Sequence, residues 1–218
     1  MMMTLRKIAS HPYLIPGVEP EPFIEGDHVF LSSNKMTALC DLLAQMAAEK
    51  AHALIFSTFT SLLDICQDVL DLKGLSYERL DGSVRGEDRV ETLKNFASED
   101  VFLLSTRAGG VGLNLAEANW VIFLDSDWNP QMDLQAIARV FRQGQTRPVK
   151  VFRLVSLETI DEIILARGEA KLDLARIVLT NEQSLIEPSI DPPLTSTWKT
   201  NIDASSVERI DAILMNKR

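Results

Sequence analysis

Two short segments, Val101–Leu104 and Trp120–Leu124, are apolar at every position. A strand with one wet face alternates apolar and polar residues, whereas a strand covered on both faces does not. Both segments therefore belong inside a sheet with a layer of structure on each side. Ala53–Phe59, Ser76–Leu80, Val101–Ser105, Trp120–Asp125 and Val149–Val155 are the strand candidates. Amphipathic helices are expected between and around them, over Lys35–Glu49, Ser61–Lys73, Glu87–Ala97, Pro130–Gln143 and Thr159 to about Ala175. Such alternation implies a mainly parallel sheet with right-handed crossovers, in a three-layer α/β sandwich. Ligands of these sheets sit beyond the carboxyl ends of the strands. Ser57 and Thr58, Asp81 to Arg85, Ser105 to Gly112 and Asp125 to Asn129 all fall there.

Gly109, Gly110 and Gly112 crowd into four positions after the third strand. They let the backbone approach a ligand and present its N–H groups, while the hydroxyls of Ser105 and Thr106 can donate to phosphate oxygens. The spacing is neither a dinucleotide fingerprint nor a P-loop, and a glycine cluster after a strand is by itself a tight turn more often than a site. A second anion signal follows. Arg139 and Arg142 lie one turn on from Gln135, in a helix with Asn129 as N-cap, Pro130 at its first position and Gly144 as its stop. Gln131, Gln135, Arg139 and Arg142 then share one face, and Leu134, Ile137, Ala138 and Phe141 the other. Alone, this helix reads as a solvated amphipathic surface; after a glycine-rich loop it reads as a phosphate grip.

A formal charge of −9 opposes general affinity for nucleic acid, because polyanion binding is dominated by Lys and Arg. Any DNA contact must be local. Around the arginine helix the balance reverses, with Arg139, Arg142, Arg147, Lys150 and Arg153 facing only Asp133. No apolar run reaches the roughly 18 residues needed to cross a bilayer, and the start lacks the apolar stretch of a signal peptide, so an intracellular chain without membrane contact is expected. Cys40 and Cys66 are too few for a disulfide framework, and His11, His28 and His52 lack metal-ligand spacing, so no metal site is expected. The expected organisation is an extended lead-in over 1–34, a main domain over 35–180 and a partly irregular tail over 181–218 with a candidate short helix.

Leu5-Arg-Lys-Ile8, His11-Pro-Tyr-Leu14, Leu54-Ile-Phe-Ser57, Leu80-Asp-Gly-Ser83, the run Ser105 to Leu115, Asp125-Ser-Asp-Trp-Asn-Pro130 and the arginine helix occur in that order. From about Leu5 to Leu179 the chain thereby resembles the C-terminal RecA-like lobe of Swi/Snf-type ATPases, the superfamily 2 helicase branch that moves along double-stranded DNA and remodels nucleosomes. Gly17 to Phe23, Gly26 to His28 and Asp81 to Glu87 point to the chromodomain-helicase-DNA-binding-protein-one-like remodellers, with the ISWI group next.

The resemblance implies a RecA-like fold, a nuclear location, and double-stranded DNA, nucleosomes and a first RecA-like lobe as partners. It implies ATP as the nucleotide, with Mg²⁺ and most ATP contacts supplied by that first lobe. Arg139 and Arg142 match the family's paired arginine fingers, and Gln135 a residue lining the same cleft. Gly110 and Gly112 match the loop between nucleotide and DNA. Ser57, Arg85, Ser105, Thr106 and Trp128 match positions along the DNA-facing edge. For Trp128 a half-buried anchor is an equal alternative; for Asp81 and Asp125 turn or capping chemistry is the better reading.

Phe141, Gln143 and Thr58 depart from the family's usual His, Ile and Gln. The chain has no P-loop lysine, no Asp-Glu pair after a strand to hold Mg²⁺, and no macro domain. It therefore reads as half of an ATP hydrolase site, inactive without the first lobe. The alternative is a regulatory lobe without catalysis that binds DNA or a remodeller partner.

Overall fold

A computed structural model describes residues 1–82, 92, 94–109 and 115–183. Its sheet has five strands, all parallel: β1 Ala53–Ser57, β2 Tyr77–Leu80, β3 Val101–Ser105, β4 Trp120–Phe123 and β5 Lys150–Arg153, in the order β2-β3-β1-β4-β5. The helices are α1 Met2–Ser10, α2 His28–Leu31, α3 Asn34–Ala48, α4 Thr60–Lys73, α5 Thr106–Gly109, α6 Pro130–Ile137 and α7 Ile160–Gln183 among the described residues. The expected α/β architecture is present, and β1, β3 and β4 are buried throughout, as a sheet covered on both faces requires.

Side-chain alternation divides the core. Leu54 and Phe56, Phe102 and Leu104, and Val121 and Phe123 join Leu80, Phe96, Ala136 and Val140 on one side of the sheet. Phe56 stacks on Phe123 with ring centroids 5.2 Å apart, fixing β1 against β4 at the level of the loops that follow them. The intervening residues, such as Ile55, Leu103 and Ile122, are buried on the other side, and α4 packs against β1 and β3.

Three expectations need correction. The arginine helix does not reach Gln143; α6 stops at Ile137 with Ala138 as its cap. Arg139 N–H reaches only to the Ala136 carbonyl, and the Arg139 carbonyl, instead of continuing the helix, accepts the N–H of Leu115 at 3.2 Å. A tertiary hydrogen bond ends this helix. Its buried stripe is also displaced: Asp133, Ala136 and Val140 face the core while Phe141 is 47% exposed. The lead-in is partly helical, with α1, a 3₁₀ turn over Pro12–Leu14 and α2. His11 starts the 3₁₀ turn by accepting the Tyr13 N–H on its ring Nδ1 at 3.1 Å, and Ser33 caps α3 while donating to the Ser10 carbonyl at 2.8 Å.

The helix expected over Glu87–Ala97 lies mostly outside the described residues, as do Arg85, Gly110, Gly112 and the tail from 184. Met1–Glu169 form one compact unit and Ala170–Arg218 a second, whose described part, 170–183, is helical.

Candidate functional site

β1 is the central strand, and its connection leads toward β2 on one edge while its neighbour β4 connects outward to β5 on the other. The crevice of such a sheet opens at this switch point, between the carboxyl ends of β1 and β4. Asp125 stands there, 2% exposed. Its carboxylate accepts the Ser57 hydroxyl at 2.6 Å, the Thr58 N–H at 3.0 Å and the Thr58 hydroxyl at 2.5 Å, and pairs with the Arg6 guanidinium at 3.4 Å. Arg6 also donates to the Ser126 carbonyl and the Thr58 hydroxyl, both at 2.9 Å, and lies 5.0 Å from the centroid of the Phe59 ring. Asp125 is thus a capping hub, the structural reading of its sequence position, and Ser57 is wholly buried with its hydroxyl committed to that hub.

Lys35 grips the same loop from another side. Its ammonium donates to the Leu124 carbonyl at 2.8 Å and pairs with Asp161 at 2.5 Å, with both side chains almost fully buried. Beyond this loop, Asn129 caps α6 by accepting the Gln131 N–H at 3.3 Å, and Asp127 accepts the Asn129 N–H at 2.8 Å. Trp128 is half-buried, with the Arg167 guanidinium 5.8 Å from its ring centroid.

After α6 the chain turns through Arg139 and Arg142 to Gly144, whose φ of +107° suits only glycine readily. Gln145 closes this turn by donating to the carbonyls of Ala116 and Ala118 at 2.9 and 2.7 Å. The arginine turn is therefore sewn, through Leu115 and Gln145, to the segment that follows the glycine-rich run. Arg139 is half-buried, Gln135 and Arg142 are exposed, and the Arg142 guanidinium has no ion-pair partner among the described residues. Ser105 and Thr106 are buried at the end of β3.

Asp133 points to a different arginine, Arg153. It is buried against Arg153 at 3.6 Å, and burial, only partly offset by that cation, pushes its carboxyl up to about 6. At the β2 end, Asp81 is likewise held by Arg79, at 2.8 Å, and Arg79 reaches Asp64 at 2.5 Å. Sequence reasoning missed Arg6, Lys35 and Asp161, because single charged residues on amphipathic helices ordinarily mark the wet face. The usable signal for Arg6 was its place in the Leu5-Arg-Lys-Ile8 motif.

The profile of the helicase conserved C-terminal domain matches residues 34–144. The chain belongs to this helicase family. It is 55% identical over 181 residues to the chromodomain-helicase-DNA-binding protein 1-like of Danio rerio, covering 82% of this chain and 18% of that protein. It is 48% identical over 184 residues to the SWI/SNF-related matrix-associated actin-dependent regulator of chromatin subfamily A member 1 of Mus musculus, again covering 82% of this chain and 18% of that one. The chain thus spans under a fifth of the length of these curated relatives. The crystal structure of the C-terminal part of the Fun30 ATPase domain matches with a TM-score of 0.65 and 35% identity, over 76% of this chain and 53% of that one. The parallel sheet with flanking helices is the fold of a helicase-type C-terminal lobe, and the motifs that carried the Swi/Snf resemblance belong to it.

Proposed function

We propose that this chain is the second lobe of an ATP-dependent translocase on double-stranded DNA that remodels nucleosomes in the nucleus. In this role it supplies arginine fingers and part of the DNA track. The observation that carries the reading is the Arg139–Arg142 turn, held by hydrogen bonds from Leu115 and Gln145, with the Arg142 guanidinium exposed and in no ion pair among the described residues. Such a pair fits the charge that spreads over a transferring phosphoryl group. Nearby carboxylates fit a divalent cation poorly, because Asp125 and Asp133 are already paired with Arg6 and Arg153. Mg²⁺ and most contacts to ATP are therefore assigned to a first lobe, and Gln135 to the wall of the shared cleft.

Ser105, Thr106, Arg85 and Trp128 remain the candidates for the DNA edge, and Gly110 and Gly112 for the loop between DNA and nucleotide. We assign Ser57 to bracing Asp125, since its hydroxyl is already engaged. Joined to a matching first lobe, the chain should hydrolyse ATP with stimulation by duplex DNA. Arg142→Ala or Arg139→Ala should reduce turnover by about 10³-fold with little change in ATP affinity, because the interaction strengthens mainly in the transition state. Arg→Lys should restore little, for lack of the planar fork. Near-normal turnover in either alanine variant, or steady hydrolysis by the 218-residue chain alone, overturns the reading.

A further inference from the structure

Helix α1 is inverted. Arg6 and Ser10 are buried, while Met3, Leu5 and Ile8 are 57%, 43% and 55% exposed. A helix normally docks by burying its apolar side chains, so this one must be seated by something else. What reaches inward from it is the Arg6 guanidinium, which enters the crevice between β1 and β4 and bonds Thr58, Asp125 and Ser126 together. Two of those residues begin the loop that launches α6, and α6 leads directly into the turn bearing Arg139 and Arg142. The strand end just before this loop is fixed separately, by Lys35 on the Leu124 carbonyl and by the Leu124 N–H on the Phe56 carbonyl at 3.0 Å.

We propose that Arg6 is a positioning residue. Docked from α1, it sets the Asp125–Asn129 loop and through it the finger arginines, so that the placement of α1 governs whether those arginines can act. This rests on the function proposed above for Arg139 and Arg142, but the coupling itself is a property of the fold. The carboxylate and one carbonyl of this loop are held together by one guanidinium nitrogen, Arg6 Nη2, which ties them at a single point. Without that guanidinium, Asp125 keeps its Ser57 and Thr58 donors, so β1 and β4 stay joined while the Ser126 side of the loop is released. Because a displacement of about 1 Å in a catalytic group can cost about 10²-fold in rate, such a release acts on turnover before it acts on the fold.

Two measurements separate the coupling from the function. In the 218-residue chain, hydrogen exchange compares wild type with Arg6→Lys, Arg6→Met and, as a surface control, Leu5→Ala. Arg6→Lys keeps the charge on a shorter side chain without the guanidinium's reach, so it holds the fold if Arg6→Met does not. Amides of α1, of Asp125–Asn129 and of Arg139–Arg142 should exchange faster together in the Arg6 variants by about tenfold or more. Those of β1 and β3 should be unchanged, and Leu5→Ala should behave as wild type. Faster exchange confined to α1 overturns the proposal, as does a uniform increase that includes β1 and β3 in Arg6→Lys. In the chain joined to a first lobe, Arg6→Lys should lower kcat by about 10- to 100-fold with KM for ATP nearly unchanged. An unchanged kcat overturns the positioning role; absence of hydrolysis in the wild type would instead refute the function, leaving exchange to decide the coupling.

Discussion

The Lys35 ammonium lies 2.5 Å from the Asp161 carboxylate, joining the first turn of α3 to the first turn of α7 across 126 residues of sequence with both groups almost wholly out of water. Removing one member of a buried pair leaves the other charge uncompensated, which costs about 3 to 5 kcal/mol. Lys35→Met should therefore lower the urea midpoint of the chain sharply. The double variant Lys35→Met with Asp161→Leu should recover much of that loss, since apolar residues of similar volume replace such pairs at small cost. Equal stability of single and double variants would show the pair to be uncoupled.

The architecture was legible because it is written in periodicity. Five strands, with α3, α4 and α7, stand close to where the apolar pattern put them, and β1, β3 and β4, covered on both faces, carry almost no polar residue for the pattern to misplace. The site was legible only where chain order carries it, as with Asn129 and Pro130 at the start of α6. The end of α6 was not, because the Leu115 N–H that takes the Arg139 carbonyl comes from a distant segment. Nor was the burial of Arg6, whose partner Asp125 is 119 positions away.

Stability should carry two opposite acid responses. His11 is wholly buried, with Nδ1 accepting the Tyr13 N–H and Nε2–H donating to the Val29 carbonyl at 2.7 Å, and burial lowers its pKa. Its contribution is present above the unfolded value near 6.5 and is lost as pH falls through the lower folded value. Asp133 has the opposite sign. Its folded value near 6 exceeds the ordinary 3.8, so its contribution is complete below about pH 4 and lost as pH rises through 6. At about 1.4 kcal/mol per pH unit that loss is about 3 kcal/mol. Urea titrations from pH 4 to 8 should show Asp133→Asn removing the decline toward pH 7, and His11→Gln flattening the acid limb. An unaltered pH profile in Asp133→Asn would refute its assignment.

Trp120 and Trp128 should separate in cost. Trp120 is 1% exposed and packs on Phe152 with ring centroids 4.8 Å apart, whereas Trp128 is half-buried beside Arg167. Trp120→Ala should cost about 3 to 5 kcal/mol, as for other buried aromatics, and Trp128→Ala less than half of that in thermal unfolding. If Trp128 lies on the DNA edge, Trp128→Ala in a two-lobe chain should leave ATP hydrolysis running while movement along DNA fails. A loss of stability as large as for Trp120→Ala would make it a core anchor instead.

The chain alone should hold duplex DNA weakly. Its net charge is −9, and several of its cations, Arg6, Lys35, Arg79 and Arg153, are already paired with carboxylates. Few phosphates can be neutralised, so log affinity should fall only shallowly with log salt concentration compared with a two-lobe form. Tight binding that survives high salt would be inconsistent with a lobe that supplies only part of the DNA track.

Strand order also bears on biosynthesis. β1 occupies the middle of the sheet, yet the next strand to be made, β2, is not its neighbour; its partners β3 and β4 follow only at residues 101 and 120. At roughly 5 to 20 residues per second, a nascent chain carries this apolar segment with both edges open for several seconds before β3 arrives. The strand that anchors the finished lobe is thus its most adhesive part during synthesis, and the segment most in need of a chaperone.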